Sequence, residues 1–407
     1  MQKKLPGNQA RDAVGVGKFT PKPYSKFRQF LSLQDFERAA KRRLPHMLYS
    51  FIAGGAEDEF SRAENRNAFA DYVFVPRVLA DVSGRSHTAT LFGKTYNAPF
   101  GIPPMGVTAM FAYRGDVVLA RACDALGLPY VLSASSLIPM ETVKQSGSTA
   151  WYQAYIPGEP QRISALLDRV EAAGFDTFVL TVDVPVMANR ENNERNGFST
   201  PLRPSLPLFW DGLTHPRWLF GTALKTIVNH GMPHFENTDA TRGPPVLSRD
   251  LARAMGARDQ LEWKHLELIR RRWKGKLVVK GLLAVRDAEM ARDLGVDGVI
   301  VSNHGGRQLD GTISPLRVLA EIADVAGDMT VMFDSGIRRG SDVLKALALG
   351  ASFVFVGRPF LFAAAVGGEP AVRHAASILT AEINRNMALL GITSLKELGP
   401  EHVRRIR

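Results

Sequence analysis

The sequence predicts an α/β fold, a (β/α)8 barrel of the TIM type, on three observations. Eight short apolar or β-branched runs recur along the 407 residues, most of them separated by amphipathic stretches of helix length. Such alternation builds a parallel sheet with helices outside it, and eight units close the sheet into a barrel. Seven of the eight runs end in polar residues suited to binding or catalysis: Ser133, Gln153 with Tyr155, Asp183, Lys280, Ser302 with His304, Asp334, and Gly357 with Arg358. Barrel enzymes keep their active sites at the C-terminal ends of the strands, so the repetition of this placement is informative. Finally, glycine–arginine loops follow the seventh and eighth runs, the usual phosphate position of this fold.

Taken in order, residues 1–30 form a basic arm rich in Gly, Pro and Lys, without the apolar run of a signal peptide. Residues 31–95 carry a helical segment over 34–49 and the turn Gly54-Gly55-Ala56-Glu57-Asp58, and are read as a helical cap on the barrel. The strands are expected over 98–103, 130–134, 150–155, 177–183, 276–280, 298–302, 330–334 and 353–358. Helices are expected over 117–126, 161–173, 284–294 and 342–349. The barrel domain thus spans 31–400. Residues 191–258, after the fourth strand, form a long insertion rich in Pro, Trp and Phe, and loops of that length are usually functional or disordered. A doubly wound nucleotide-binding sheet is disfavoured. Gly15 and Gly17 lack a third glycine and a preceding strand, and Gly93-Lys94-Thr95 lacks the upstream glycine of a P-loop.

Composition narrows the function. A hydrophobic content of 45% supports an ample globular core. The net charge of +11 is dispersed rather than gathered in one block, and no zinc-finger, RRM or homeodomain pattern occurs, so no nucleic-acid partner is expected. Basic character equally suits anionic substrates and phosphate-bearing cofactors. Cys123 is the only cysteine, which excludes an intrachain disulfide and points to a reducing, cytoplasmic location. No stretch approaches the roughly 18 apolar residues of a membrane span. His230 and His234 have ligand-like spacing, but Gly231 and Pro233 break the helix that would align them, and no metal site is expected.

The chemistry concentrates in Ser302-Asn303-His304-Gly305-Gly306-Arg307-Gln308-Leu309-Asp310-Gly311, directly after the buried run Gly-Val-Ile-Val at 298–301. Imidazole titrates nearest neutrality and is the usual proton acceptor. Guanidinium stays charged and grips a carboxylate through paired hydrogen bonds. Two glycines between His304 and Arg307 let both reach one small pocket, which suggests proton abstraction beside a substrate carboxylate. Downstream, Asp334-Ser335-Gly336-Ile337-Arg338-Arg339-Gly340 and Gly357-Arg358-Pro359 offer glycine amides and arginine charge for a phosphate. Lys280, ending the fifth strand, needs an anionic partner if it points into the barrel mouth.

This decapeptide resembles the signature of the FMN-dependent 2-hydroxy-acid dehydrogenases and oxidases, the lactate, glycolate and mandelate enzymes. The resemblance extends over about residues 30–400 and recurs at the other motifs. It implies FMN as cofactor, with Gly336, Arg338, Gly357 and Arg358 at the phosphate and Asp334 at the ribityl chain. Lys280 would lie at the N1–O2 edge of the flavin, and Pro104, Met105 and Gly106 would run beside it. Ser133, Gln153, Thr181 and Ser302 match positions that hydrogen-bond the ring system, though each alone also reads as an ordinary strand-end polar residue. For the substrate it implies His304 as base, Asp183 as its orienting carboxylate, Tyr155 as a hydrogen-bonding partner, and Arg307 with Arg190 as the carboxylate clamp. Arg190 also lies in a charged run where a solvated arginine is ordinary.

One position departs from the pattern. After Leu44-Pro45-His46-Met47 the family carries a carboxylate-binding tyrosine, and here that place is Phe51. Ser135, where some relatives carry a large aromatic residue, leaves room for a larger substrate side chain. The implied reaction is oxidation of an L-2-hydroxy acid, lactate or a larger aryl acid such as mandelate, with electrons passing on to oxygen, a quinone or another carrier. Gly106 alone does not divide oxidase from dehydrogenase. In the insertion, Leu206-Pro207-Leu208-Phe209-Trp210, Trp218-Leu219-Phe220 and residues 223–228 read either as a membrane-surface contact on the inner face of the cell membrane or as a lid or subunit contact. The resemblance also implies a homotetramer. Two rival readings remain open: another FMN- or phosphate-binding barrel such as an isomerase, which would not need His304, Arg307 and Asp183 together, and a non-catalytic barrel scaffold.

Overall fold

The computed structural model describes residues 25–199, 205–248 and 258–407. The basic arm expected over 1–30 lies outside the described residues up to residue 24, and parts of the 191–258 insertion do too.

Eight parallel strands form the barrel: β1 (Phe100–Gly101), β2 (Tyr130–Ser133), β3 (Ala150–Ala154), β4 (Thr177–Thr181), β5 (Lys276–Leu282), β6 (Gly298–Val301), β7 (Thr330–Asp334) and β8 (Phe353–Phe355). From β2 onward each pairs with the next, β8 pairs with β1, and an isolated bridge from Ile102 to Tyr130 joins β1 to β2 and closes the ring. The first strand is shorter than the expected 98–103. Pro99, Pro103 and Pro104 flank it, and a proline has no N–H for a ladder. The fifth is longer, continuing past Lys280 through an irregularity at Gly281, whose φ is +108°.

Side chains alternate between two cores. Val131, Trp151, Val179, Val278, Ile300, Met332, Phe353 and Phe355 fill the barrel interior, and their neighbours on each strand pack outward against the helices. The helices Gly115–Leu126, Pro160–Ala172, Val285–Asp293 and Gly340–Ala348 match the expected ones within two residues.

The segment before the barrel does two jobs rather than one. Its antiparallel hairpin, Ala89–Leu91 with Lys94–Tyr96, packs Leu91, Phe92 and Tyr96 on the interior core near the N-terminal end of β6. Its helices cover the opposite, C-terminal mouth. The single helix expected over 34–49 is two, Leu33–Arg43 and His46–Ala53, because Leu44 before Pro45 is extended and proline cannot continue a helix. The helix Phe60–Asn67 follows, its first amides capped by Asp310 from the loop after β6 (Phe60 N–H at 3.1 Å, Ser61 N–H at 2.7 Å).

The insertion is woven into this mouth. Helix Leu206–Leu213 supplies Asp211, which accepts from the amides of His46 and Met47 at the start of the cap helix. Trp218 donates its indole N–H to the Met110 carbonyl at 2.8 Å. Asn237, fully buried, accepts from the Met140 amide at 2.8 Å. A continuous helical run then covers Pro216–Trp218, Leu219–Leu224 in π geometry, and Lys225–His230. Leu206, Phe209, Trp210, Phe220, Ile227 and Val228 of these helices are exposed, Val228 at 80% and Leu206 at 85%. No described helix is long and apolar enough to cross a membrane.

Candidate active site

The loop after β6 turns through three consecutive left-handed residues, His304 (φ +57°), Gly305 (+69°) and Gly306 (+71°). Glycine is needed at the last two for more than conformation. A Cβ on Gly306 would meet the Arg62 amide nitrogen at 2.4 Å, and one on Gly305 would meet Arg358 at 2.9 Å. His304 has no such excuse, and a non-glycine residue held left-handed costs on the order of 1–3 kcal/mol. The loop is pinned by a reciprocal amide pair, Asn65 with Asn303 (2.7 and 2.8 Å), and by the Ser302 hydroxyl accepting from the His304 amide at 3.0 Å.

These constraints aim the imidazole. Its Nδ1 meets Asp183 Oδ1 at 2.9 Å, and its Nε2 faces the Tyr155 hydroxyl at 3.3 Å. Donation from Nδ1 to the carboxylate leaves Nε2 as the acceptor. Burial lowers the imidazole below its ordinary pKa, with Lys280 and Arg190 acting in the same direction, against the upward pull of Asp183. Burial alone would raise the Asp183 carboxyl, but the charge and hydrogen bond of His304, with Lys280, hold it below the ordinary value. Both shifts act in the direction that favours a neutral imidazole beside an ionised carboxylate. Gly281, which the sequence reading passed over, makes this possible: a Cβ there would lie 2.7 Å from the Asp183 side chain.

The arginines converge on the same mouth. Arg307 donates from Nη1 to the Phe51 and Gly54 carbonyls (2.7 and 2.9 Å). Arg190 donates to the Arg307 carbonyl and the Gln308 side chain (2.9 and 2.6 Å), so it is no solvated surface charge. Arg358 ties the cap to the loop after β6, donating to the carbonyls of Ile52 and Gly54 and to that of Gly305. Burial, then the nearby Arg338, pushes Arg358 down to about 9, and burial pushes Arg338 to about 10. Burial also lowers Arg307, with Arg190 and Arg358 adding repulsion. Guanidinium does not give up its proton under ordinary conditions, so these pressures describe places where an anion would be stabilised.

Lys280 is buried and ion-paired with Asp334 at 3.0 Å, while donating to Ser302 Oγ at 2.7 Å. Ser133, Gln153 and Thr181 are buried at the C-terminal ends of β2, β3 and β4. Ser133 donates to Gln153 Oε1 at 3.2 Å, whereas Gln153 Nε2 and Thr181 Oγ1 have no partner among the described residues.

One cavity of about 250 Å³ joins most of these groups. Pro104, Met105, Gly106, Lys280, Asp334, Gly336, Arg338, Gly357 and Arg358 line it, as do Phe51, Tyr155, Arg190, His304 and Arg307. Ser135 also lines it, and a Cβ on Gly106 would sit 2.9 Å from the Ser135 side chain. Asp183 and the strand-end residues Ser133, Gln153, Thr181 and Ser302 are not among its lining residues, and Thr181 lines a second cavity beside it. Arg258, at the end of the insertion, was not singled out in the sequence. Its guanidinium carbon lies 4.7 Å from the Tyr155 ring centroid, and it lines the same cavity. A lone arginine beyond a long loop gave no local signal. Among the described residues no cluster of metal-ligating side chains occurs.

The orphaned amide and hydroxyl at the barrel mouth, and the arginine–glycine loops after β7 and β8, fit a ring system bearing a phosphate. Comparison with known proteins agrees. The sequence pattern described as FMN-dependent dehydrogenase matches residues 40–405. The chain is 40% identical over 370 residues to an L-lactate dehydrogenase of Stenotrophomonas maltophilia, covering 90% of this chain and 96% of that one. It is 38% identical over 375 residues to an (S)-mandelate dehydrogenase of Pseudomonas putida, covering 91% and 93%. Among solved structures it is similar to a monotopic membrane protein, (S)-mandelate dehydrogenase, with TM-score 0.85, 36% identity, and coverage of 93% and 100%. The chain belongs to the FMN-dependent dehydrogenase family, and FMN is its cofactor.

Proposed function

We propose that this enzyme oxidises an L-2-hydroxy acid to the 2-oxo acid, with His304 as the base. The observation that carries the reading is the His304–Asp183 pair at 2.9 Å, with Nε2 turned to Tyr155 in a cavity shared with Arg307 and Arg190. A phosphate-binding isomerase would need the glycine–arginine loops but not this base, orienter and clamp. Relatives named for L-lactate and (S)-mandelate support the L-configuration.

Arg307 and Arg190 bind the substrate carboxylate, and Tyr155 hydrogen-bonds the hydroxyl-bearing end. His304 Nε2 takes up a proton from the substrate. Asp183 acts as a positioning residue, holding the imidazole in one tautomer and stabilising the imidazolium that forms. FMN, when bound, accepts the two electrons. Phe51 and Ser135 leave the pocket with one carboxylate donor fewer and more room than a small acid requires, which favours substrates larger than glycolate.

The exposed apolar face of the 206–228 helices supports a second, independent part of the reading: attachment to a membrane surface. Arg217 and Lys225 beside it suit an anionic lipid face. An electron acceptor dissolved in that membrane matches such a location.

Anaerobic mixing of the purified yellow protein with a panel of L- and D-2-hydroxy acids tests the chemistry. Bleaching of the flavin by L-acids is expected. A flavin that no 2-hydroxy acid reduces would overturn the assignment.

A further inference from the structure

Among the described residues, the charges at the barrel mouth leave one cation over. Lys280 is neutralised by Asp334. Arg338 and Arg358 stand at the phosphate loops, and on the function proposed above Arg307 and Arg190 meet the substrate carboxylate. Arg258 has no such role. It lines the cavity beside Tyr155, Val184, Met187, Phe235 and Val246. Among the described residues it has no carboxylate or hydrogen-bond partner for its guanidinium, only the face of the Tyr155 ring at 4.7 Å.

Its side chain is half-buried, between the cavity and solvent. Burial draws the guanidinium's pKa down, and Arg162 adds like-charge repulsion; only the Tyr155 hydroxyl and its weak acidity oppose them. A cation withdrawn from water is stable when an anion or several acceptors replace its hydration. Glu262 and Asp287 border a second cavity on the far side of Arg258, yet neither forms an ion pair with it, and Glu262 is engaged with Lys264. Tyr155, Val184 and Arg258 itself line both cavities, so Arg258 stands at the partition between them. The apolar side chains that line the cavity with it supply no acceptor. Among the described residues nothing meets its charge, which leaves the guanidinium available to an anion held in the cavity.

We infer that Arg258 is a specificity-determining residue that binds a second anionic group on the substrate, so that the preferred acids are 2-hydroxy acids with a distal carboxylate. This rests on the 2-hydroxy-acid reading and narrows it. Tyr155 connects the two ends, with its hydroxyl at the base and its ring face under the guanidinium. The apolar wall then spaces the two carboxylates rather than receiving an aryl group.

The test compares near-isosteric pairs on the holoenzyme under anaerobic stopped-flow conditions: L-malate against its distal amide, and L-2-hydroxyglutarate against its distal amide. The hydroxyl, α-carboxylate and length are matched within each pair, and the distal charge is the variable. The wild type should favour the acid over the amide in kcat/KM by on the order of 10- to 100-fold in at least one pair, the range of a charge-assisted hydrogen bond. Arg258→Met should bring that ratio to within about twofold of unity, and Arg258→Lys should keep part of it. The ratio within each protein is the readout, so a general loss of rate from disturbing Tyr155 cancels. Equal rates for acid and amide in both wild-type pairs, or a preference that survives Arg258→Met, would overturn the inference. If lactate or mandelate bleaches the flavin while the dicarboxylates gain nothing over their amides, only the role of Arg258 falls. If no 2-hydroxy acid of any charge bleaches it, the function reading falls too.

Discussion

The guanidinium of Arg307 lies over the ring of Phe51, 4.8 Å from its centroid, and the same side chain donates from Nη1 to the Phe51 carbonyl at 2.7 Å. One residue thus holds the clamp arginine by both its ring and its backbone. A cation over an aromatic face contributes about 0.5–1 kcal/mol where exposed and more when desolvated. The ring is fixed in turn by Phe198 at 4.2 Å and Phe111 at 5.7 Å. Position 51 therefore supports the arginine proposed as the clamp, although it lacks the hydroxyl that the family resemblance implies there.

Phe51→Tyr keeps the stack and adds a donor at the cavity. A hydrogen bond of about 0.5–1.5 kcal/mol corresponds to roughly 2- to 12-fold in kcat/KM. The gain is expected for lactate and should be small or negative for bulky aryl acids, which need the space. Equal responses from a small and a large acid would show that the ring edge is turned away from the substrate.

His304→Ala should bind FMN and lose substrate-dependent bleaching. Removing a general base costs on the order of 100- to 10,000-fold. The measurement is the single-turnover reduction rate at matched flavin content. Because His304 sits left-handed at φ +57°, alanine keeps the strain and the loop should be no more stable than before. Near-normal reduction by this variant would remove His304 from the reaction.

The pH profile carries a sign that can be checked. Burial lowers His304 below the ordinary value of 6.5, so the base form persists into mildly acidic solution, and the acid limb of kcat/KM should lie below that value. Asp183 pulls His304 upward. Asp183→Asn should therefore move the limb to still lower pH, while the plateau falls because the imidazolium loses its partner. A limb that moves upward would mean that it does not report His304.

Arg307→Met should weaken the substrate and a competitive 2-oxo acid together, since both present the same carboxylate. A charge-assisted bond of roughly 1.5–3 kcal/mol predicts about 10- to 150-fold in Kd. Titration of the oxidised holoenzyme with the 2-oxo acid, followed by the flavin spectrum, gives the constant directly. An unchanged Kd would assign the carboxylate elsewhere.

The exposed helix face predicts vesicle binding. The full chain should sediment with vesicles containing anionic lipid, and Phe209→Glu combined with Trp210→Glu should leave most of it in the supernatant. Both side chains are about two-thirds exposed, so the substitutions disturb no core, and retained flavin colour verifies the fold. Sedimentation that persists in the double variant would put the contact on another surface.

The barrel was legible from local pattern. Buried parallel strands are short continuous apolar runs and the helices between them are amphipathic, so elements such as Thr330–Asp334 and Gly298–Val301 appear in the sequence almost as they stand in the fold. The loop after β6 was legible for a related reason, since a base, two left-handed glycines and an arginine must be contiguous to make that turn. Breaks were harder to see. Leu44-Pro45 splits a helix whose periodicity runs straight across it, and prolines trim the first strand to two residues. Contacts between distant segments left no local trace at all. Asp310 sits in the decapeptide with His304 and Arg307 but caps a helix some 250 positions earlier. Gly281 makes room for Asp183, Asn65 locks Asn303, and Arg258 reaches Tyr155 only because the insertion folds back over the mouth. Secondary structure follows from forces between near neighbours along the chain, whereas the charge left over at the mouth depends on which distant segments close around it.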